Sequence, residues 1–240
     1  MFASSTIPRR TCIIIPAYNE EETIGKVITE VRRYGQGVDI VVVSDASRDR
    51  TAQIARQYNV PVLDLPINLG IGGAMQTGFK YAYRNGYDTA MQLDGDGQHD
   101  PQYISQVLAP ILKGKADMVI GSRFLDPVGY TSSFIRLFGI RFFAWLIGMM
   151  TNQRIYDATS GYRAYNKEAL AFAAKNYPSD FPEPESIVQF LRNGFSIKEV
   201  SVAMRGRQGG ISSIRASKGI YFVASNTLAI IITTFKRKVR

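Results

Sequence analysis

Two kinds of apolar spacing alternate along the first half of the chain. Cys12-Ile13-Ile14-Ile15 and Ile40-Val41-Val42-Val43 are unbroken runs rich in β-branched residues, which suits strands buried on both faces of a parallel sheet. Between them, Glu20 to Arg33 carries Ile24, Val27, Ile28 and Val31 at helical spacing, so the three segments read as a β-α-β unit. The alternation continues: helix from Thr51 to Tyr58, strand from Val60 to Leu63, helix from Gly73 to Asn85, strand from Thr89 to Leu93. Pro101 to Lys113 predicts a further helix, and Asp117-Met118-Val119-Ile120 a strand ending at Gly121-Ser122-Arg123. An open α/β sheet binds ligands beyond the carboxyl ends of its strands, where Tyr18, Asp45, Asp94 and Arg123 would gather.

The second half changes character. Phe134 to Met150 is strongly apolar with only Arg136 and Arg141 charged, too interrupted to span a bilayer. As a helix it would align Phe138, Phe142, Trp145 and Met149 in one stripe, suited either to the membrane interface or to an ordinary core. Gly219 to Phe235 is uncharged and is followed by Lys236-Arg237-Lys238-Val239-Arg240. A basic end beside a borderline apolar helix favours an anionic cytoplasmic leaflet, so 216–240 is expected to be a membrane-associating segment following a domain over 1–215.

Composition narrows the classes. An apolar share of 45% in 240 residues is ample for one packed α/β domain, and a net charge of +9 calls for an anionic partner. Cys12 is the only cysteine, so no intrachain disulfide forms and a reducing compartment is expected. Met1 to Arg10 has no apolar core of a secretory signal. A nucleic-acid partner would explain the charge but neither the apolar segments nor the acids described next, and none is expected.

Leu93-Asp94-Gly95-Asp96-Gly97-Gln98-His99-Asp100-Pro101 places two carboxylates one residue apart at a strand end. The glycines let the backbone bend around an ion and Gln98 adds a neutral oxygen, so Asp94, Asp96 and Gln98 form a candidate Mg²⁺ or Mn²⁺ site. Such an ion keeps positions open for phosphate oxygens, which points to a nucleotide-diphosphate ligand; an acidic surface turn is the plain alternative. His99 is the only histidine, which excludes a histidine triad and a multi-histidine metal site. Arg123, Arg136, Arg141 and Arg163 flank the apolar segment, and Arg205 and Arg207 lie further on. Guanidinium forks in that distribution suit one diphosphate and one separate lipid phosphate.

Pro16-Ala17-Tyr18-Asn19-Glu20-Glu21, Ser44 to Thr51, Asn68 to Ala74, the Asp94–His99 stretch and Asp157-Ala158-Thr159-Ser160-Gly161-Tyr162-Arg163 occur in the order found in family 2 glycosyltransferases. From about Thr11 to Ile214 the chain resembles the polyprenyl-phosphate glycosyltransferases of that family, the group that includes dolichyl-phosphate mannose synthase. Ser44 and Ala46 depart from the acids usual around Asp45. The resemblance implies a GT-A, Rossmann-like α/β fold whose mostly parallel central sheet is flanked by helices, with amphipathic membrane-associating helices in the second half.

The same resemblance assigns Pro16, Tyr18, Glu20, Asp45, Gly70 and Asp94 to the donor nucleotide, and Arg123, Arg136, Ser160 and Arg163 to the acceptor phosphate. Asp96, Arg123 and Arg207 become the catalytic residues, with Arg207-x-x-Gly210-x-Ser212 as the loop closing over the donor. The implied reaction is metal-dependent, inverting transfer of a hexose, glucose or N-acetylglucosamine favoured, from a UDP-sugar to undecaprenyl phosphate for cell-wall polysaccharide decoration. It would take place on the cytoplasmic face of the plasma membrane, with a peripheral, monotopic or tail-anchored enzyme and a small membrane-protein partner or a second copy as further partners. The alternative acceptor is a sugar hydroxyl of a lipid-linked glycan, with Glu185 or Asp157 as base and Glu183 and Glu185 in a proline-rich loop.

Overall fold

The computed structural model describes residues 10–125, 134–179, 182–206 and 219–236. Its strands are β1 (Thr11–Ala17), β2 (Asp39–Ser44), β3 (Val62–Asp64), β4 (Thr89–Gln92), β5 (Met118–Ser122), β6 (Arg163–Tyr165) and β7 (Ile197–Ser201). They form one sheet in the order β3-β2-β1-β4-β6-β5-β7. β6 runs antiparallel to β4 and β5, and the remaining neighbours are parallel. The helices are α1 (Ile24–Tyr34), α2 (Thr51–Gln57), α3 (Gly70–Arg84), α4 (Ile104–Leu112), α5 (Phe134–Thr151), α6 (Lys167–Asn176), α7 (Pro182–Arg192) and α8 (Gly219–Phe235).

Strand alternation builds two cores. Cys12, Ile14, Val41 and Val43 meet α3, α5, α6, α7 and α8 on one face, while Ile13, Ile15, Ile40 and Val42 meet α1, α2 and α4 on the other. Helices on both faces explain why the strand runs are continuously apolar. Burial pushes the Cys12 thiol from its ordinary value of 9.0 up to about 12. The neutral thiol therefore favours the folded state below pH 9, and that contribution is lost as the pH climbs through about 12. Maleimide at pH 8 is expected to leave Cys12 unlabelled in native protein and to label it fully in guanidinium, as read by mass spectrometry.

Differences from the sequence reading have local causes. α1 starts at Ile24 rather than Glu20 because Asn19 adopts φ 55° and the Thr23 and Ile24 amides both donate to the Glu20 carbonyl, making a turn first. The stretch read as a proline-rich loop is the start of α7: Pro182 and Pro184 occupy its first turn, where no amide is needed, and Glu183 and Glu185 suit the positive end of the helix dipole. β6, α6 and β7 were not predicted; β6 is only three residues long and Arg163 begins it.

α5 packs one side on the core and leaves part of its apolar stripe exposed. Ile140, Phe143, Leu146 and Ile147 pack into the core, while Trp145 and Met149 stand out, 60% and 56% exposed. Phe142 is half-buried against the core, and the Phe138 side chain falls outside the described residues. α8 buries Asn226, Ile230, Thr233 and Thr234 and leaves Leu228, Ile231, Ile232 and Phe235 exposed. Among the described residues no helix is long and apolar enough to cross a membrane.

Candidate active site

β1 has β2 on one side and β4 on the other, so the crevice beyond its carboxyl end is the point where the winding of the sheet reverses. Two main-chain bonds draw the neighbouring loops over it: the Asp45 amide donates to the Ala17 carbonyl at 2.9 Å and the Gly95 amide to the Pro16 carbonyl at 3.2 Å. Tyr18, half in solvent, lies at the mouth.

One wall is a polar zipper between the loops after β1 and β2. The Asn19 amide donates to Ser47 Oγ (3.2 Å), Arg48 N to Asn19 Oδ1 (2.8 Å), Glu20 N to Thr51 Oγ1 (2.8 Å) and Glu21 N to Asp49 Oδ2 (3.0 Å). The buried Glu20 carboxylate receives the Thr23 hydroxyl at 3.2 Å, and that hydroxyl also lies 2.7 Å from the Gly95 carbonyl, tying this wall to the acid loop. Asp45 Oδ1 accepts from the Leu69 amide at 2.7 Å. Burial raises its carboxyl, and the Leu69 and Gly70 amides pull the other way, so Asp45 and Gly70 form one unit.

The start of the acid loop is held by a carboxamide and an imidazole. Gln92 Nε2 donates to Asp94 Oδ1 at 3.1 Å. His99 Nδ1 accepts the Asp94 amide at 3.0 Å, which places the neutral ring's proton on Nε2, 3.7 Å from Asp94 Oδ2. The imidazole stacks on Tyr162 at 4.7 Å and 7°, so it positions Asp94. Asp96 is buried and its Oδ1 accepts the Gln98 amide at 2.9 Å, across a turn in which Gly97 takes φ 75°. A Cβ on Gly161 would lie 2.7 Å from Gln92 Nε2 and 3.6 Å from Asp94 Oδ2, so the loop ahead of β6 passes directly over this carboxylate.

Asp94, Asp96 and Gln98 are residue types that could hold a hard divalent cation. Among the described residues no Lys or Arg pairs with Asp94, and no three His, Cys, Asp or Glu side chains group so that they alone could hold a metal ion. Two carboxylates and the Gln98 carboxamide suit Mg²⁺ or Mn²⁺, which retain water and phosphate oxygens, and do not suit a structural zinc.

The arginines assigned to the acceptor phosphate are placed differently. Arg163 is 0% exposed: Nε donates to the Ser160 carbonyl (2.6 Å), Nη1 to Ser186 Oγ (2.8 Å), and Nη2 to the Ala158 (3.2 Å) and Glu183 (2.8 Å) carbonyls. A guanidinium spent on four protein oxygens braces the loop and does not reach a phosphate. Ser160 is buried too, its hydroxyl 2.6 Å from the Gly121 carbonyl. Arg123 forks onto Asp157, Nε to Oδ2 at 2.7 Å and Nη2 to Oδ1 at 2.6 Å, and adds Thr159 at 2.8 Å. Arg207 and the Arg136 side chain lie outside the described residues.

Two further residues were not singled out from sequence. Glu199 on β7 accepts the Tyr156 and Asp157 amides, both at 2.8 Å, and so presents Asp157 to Arg123; burial raises its carboxyl and those amides lower it. The two amides it accepts lie 43 and 42 residues away in the chain, which leaves no sequence signal. Gln92 does leave one, a carboxamide closing an apolar strand two residues before Asp94.

The family model for "Glycosyl transferase family 2" matches residues 12–172. The chain belongs to this family. Relatives include the polyprenol monophosphomannose synthase of Mycolicibacterium smegmatis, 31% identical over 227 residues, with 87% of this chain and 82% of that protein covered. The undecaprenyl-phosphate mannosyltransferase of Micrococcus luteus is 30% identical over 221 residues, covering 85% and 87%. The UDP-N-acetylglucosamine–dolichyl-phosphate N-acetylglucosaminyltransferase of Methanococcus voltae is 30% identical over 213 residues, covering 79% and 83%. Among solved structures, glucosyl-3-phosphoglycerate synthase from Mycobacterium tuberculosis, in complex with Mn²⁺ and UDP-glucose, superposes with a TM-score of 0.71 at 20% identity, over 95% of this chain and 79% of that one. The fold is thus that of a known glycosyltransferase, and this family 2 chain is a transferase.

Proposed function

We propose that this enzyme transfers a hexose from a nucleotide-diphosphate sugar, a UDP-sugar favoured, to a polyprenyl phosphate at the cytoplasmic face of the membrane, inverting the anomeric configuration. The observation that carries the acceptor is a groove of about 670 Å³ between α5 and residues 152–156. Leu137, Ile140, Trp145 and Met149 give it apolar walls, and Arg141 and Arg154 give it cationic edges. It reaches Phe124 and Tyr156, the chain neighbours of Arg123 and Asp157, so an isoprenoid lying there would bring its phosphate end toward the Arg123–Asp157 pair. The exposed apolar residues of α5 and α8 with the basic C-terminus support seating on an anionic membrane surface. Relatives named for polyprenol and undecaprenyl phosphate support the same acceptor class. Cell-wall polysaccharide decoration is the proposed use of the product.

Asp94, Asp96 and Gln98 would hold the divalent cation, which when bound supplies charge neutralisation for the departing diphosphate. Pro16, Tyr18, Glu20, Asp45 and Gly70 frame the nucleoside. An acceptor phosphate is already ionised at neutral pH and attacks from the face opposite the diphosphate without a protein base. That agrees with the candidate bases: Asp157 is spent on Arg123, and Glu185 accepts the Thr233 hydroxyl at 2.9 Å. The hydroxyl-acceptor reading keeps one support, Glu183, whose carboxyl is raised by burial and by the Asp94 charge while Arg163 lowers it.

The test incubates the protein with Mn²⁺, either undecaprenyl phosphate or a lipid-linked oligosaccharide as acceptor, and, separately, labelled UDP-glucose, UDP-N-acetylglucosamine and GDP-mannose. Label from one donor is expected in the organic phase, and Trp145→Glu is expected to raise the KM for undecaprenyl phosphate about tenfold, more than for a short-chain analogue. Transfer only to a lipid-linked glycan would overturn the phosphate-acceptor reading.

A further inference from the structure

The sequence pattern groups Arg205 with the phosphate-binding arginines, yet the structure commits it elsewhere. Nη1 meets Glu30 Oε2 on α1 at 2.6 Å and Nη2 meets Asp100 Oδ1 at 2.8 Å. The Arg205 amide donates to the Gln98 carbonyl at 2.9 Å, and the preceding residue, Met204, forms an antiparallel bridge with His99. The exit of β7 therefore runs as a short ribbon along the acid loop. Asp100 is a junction: its carboxylate also caps the 3₁₀ turn Pro101–Tyr103 through the Gln102 amide (3.0 Å), and its carbonyl accepts the Tyr162 hydroxyl at 2.9 Å. Tyr162 stacks on His99, which holds the Asp94 amide.

We propose that Arg205 is a positioning residue for metal and donor binding, which fixes the Asp94–Asp100 loop by clamping its far end to α1. This rests on the metal-site reading above. The loop spans two carboxylates whose mutual repulsion, with no cation between them, would open it. Gln92 restrains its start and Arg205 its end, one by a neutral amide and the other by a charge-assisted pair across 105 residues of chain. The three side chains are only partly exposed, about a quarter or less, so the pairs are less screened than surface ion pairs. The two arms differ in consequence: Asp100 belongs to the loop, whereas Glu30 only aims the guanidinium.

The experiment measures Mn²⁺ binding by electron paramagnetic resonance, and amide exchange of the 94–100 segment without metal, in full-length wild type, Arg205→Met, Asp100→Asn and Glu30→Gln. Arg205→Met and Asp100→Asn are each expected to weaken Mn²⁺ about tenfold and to accelerate exchange of the segment, with the kcat at saturating Mn²⁺ and donor changed far less than the donor KM. Asparagine still caps the turn, so Asp100→Asn carries the test if Arg205→Met fails to fold. Glu30→Gln is expected to cost comparable thermal stability but to weaken Mn²⁺ by under threefold. Wild-type exchange and Mn²⁺ affinity in both Arg205→Met and Asp100→Asn would overturn the proposal, as would equal weakening by all three variants, the mark of a purely structural brace. Wild-type protein that binds no Mn²⁺ would overturn the metal reading instead, and the exchange arm then decides for or against the clamp.

Discussion

Asp94→Asn is expected to lower glycosyl transfer about 10³-fold while leaving the protein folded and slightly harder to melt in the absence of metal. The two effects have one origin. Asp94 keeps a carboxylate with neutral neighbours, Gln92 Nε2 on one oxygen and the protonated His99 Nε2 facing the other, and it sits two residues from buried Asp96. Two carboxylates this close along the chain repel each other until a cation enters, so some stability is given up for binding. An asparagine keeps the shape and removes the charge. Wild type in Mn²⁺ at a hundred times its Kd should gain about 2.7 kcal/mol, or about 5–10 °C in a domain of this size, and the variant should gain almost nothing. Label transfer and paired melting curves with and without Mn²⁺ read both effects; a variant that keeps a tenth of wild-type turnover, or the full metal-induced shift, would remove Asp94 from the site.

Arg163→Met is expected to destabilise the fold by about 3–5 kcal/mol, lowering the melting temperature by about 10 °C or more. The guanidinium has no exposure and joins the loop ahead of β6 to the first turn of α7; its loss strands the Ser160 and Ala158 carbonyls and leaves the Glu183 carbonyl and the Ser186 hydroxyl only their mutual bond of 3.2 Å. Since Gly161 in that loop lies against Gln92 and Asp94, the residual folded fraction should also lose activity. Had Arg163 been a direct acceptor-phosphate ligand, the same change would raise the KM for polyprenyl phosphate in a protein of unaltered stability. Thermal melts beside acceptor titrations separate the two.

How legible was all this from the chain alone? The β-α-β alternation through β5 could be read because each element there carries its own period, and Gly219–Phe235 because it is a single uncharged run. The acid loop was readable for the same local reason: its carboxylates, glycines and glutamine lie within five residues of each other. The second half resisted because β6 is three residues long and α7 opens on prolines that resemble a turn, so neither displays a period.

The arginines mark the boundary most clearly. Sequence establishes that Arg123, Arg163 and Arg205 are cations; resemblance offers Arg123 and Arg163 an acceptor phosphate, and the distribution of arginines groups Arg205 with the phosphate binders. Which anion a guanidinium meets depends on what the fold brings within 3 Å. Asp157 arrives across 34 residues, the Glu183 carbonyl across 20, and Glu30 across 175. The sequence by itself therefore determined the strand and helix alternation of the first half, the family and the acid pair, since those are properties of neighbouring residues. Only the tertiary structure decided which charges are spent holding the site together, because hydrogen bonding and burial are settled between residues far apart in the chain.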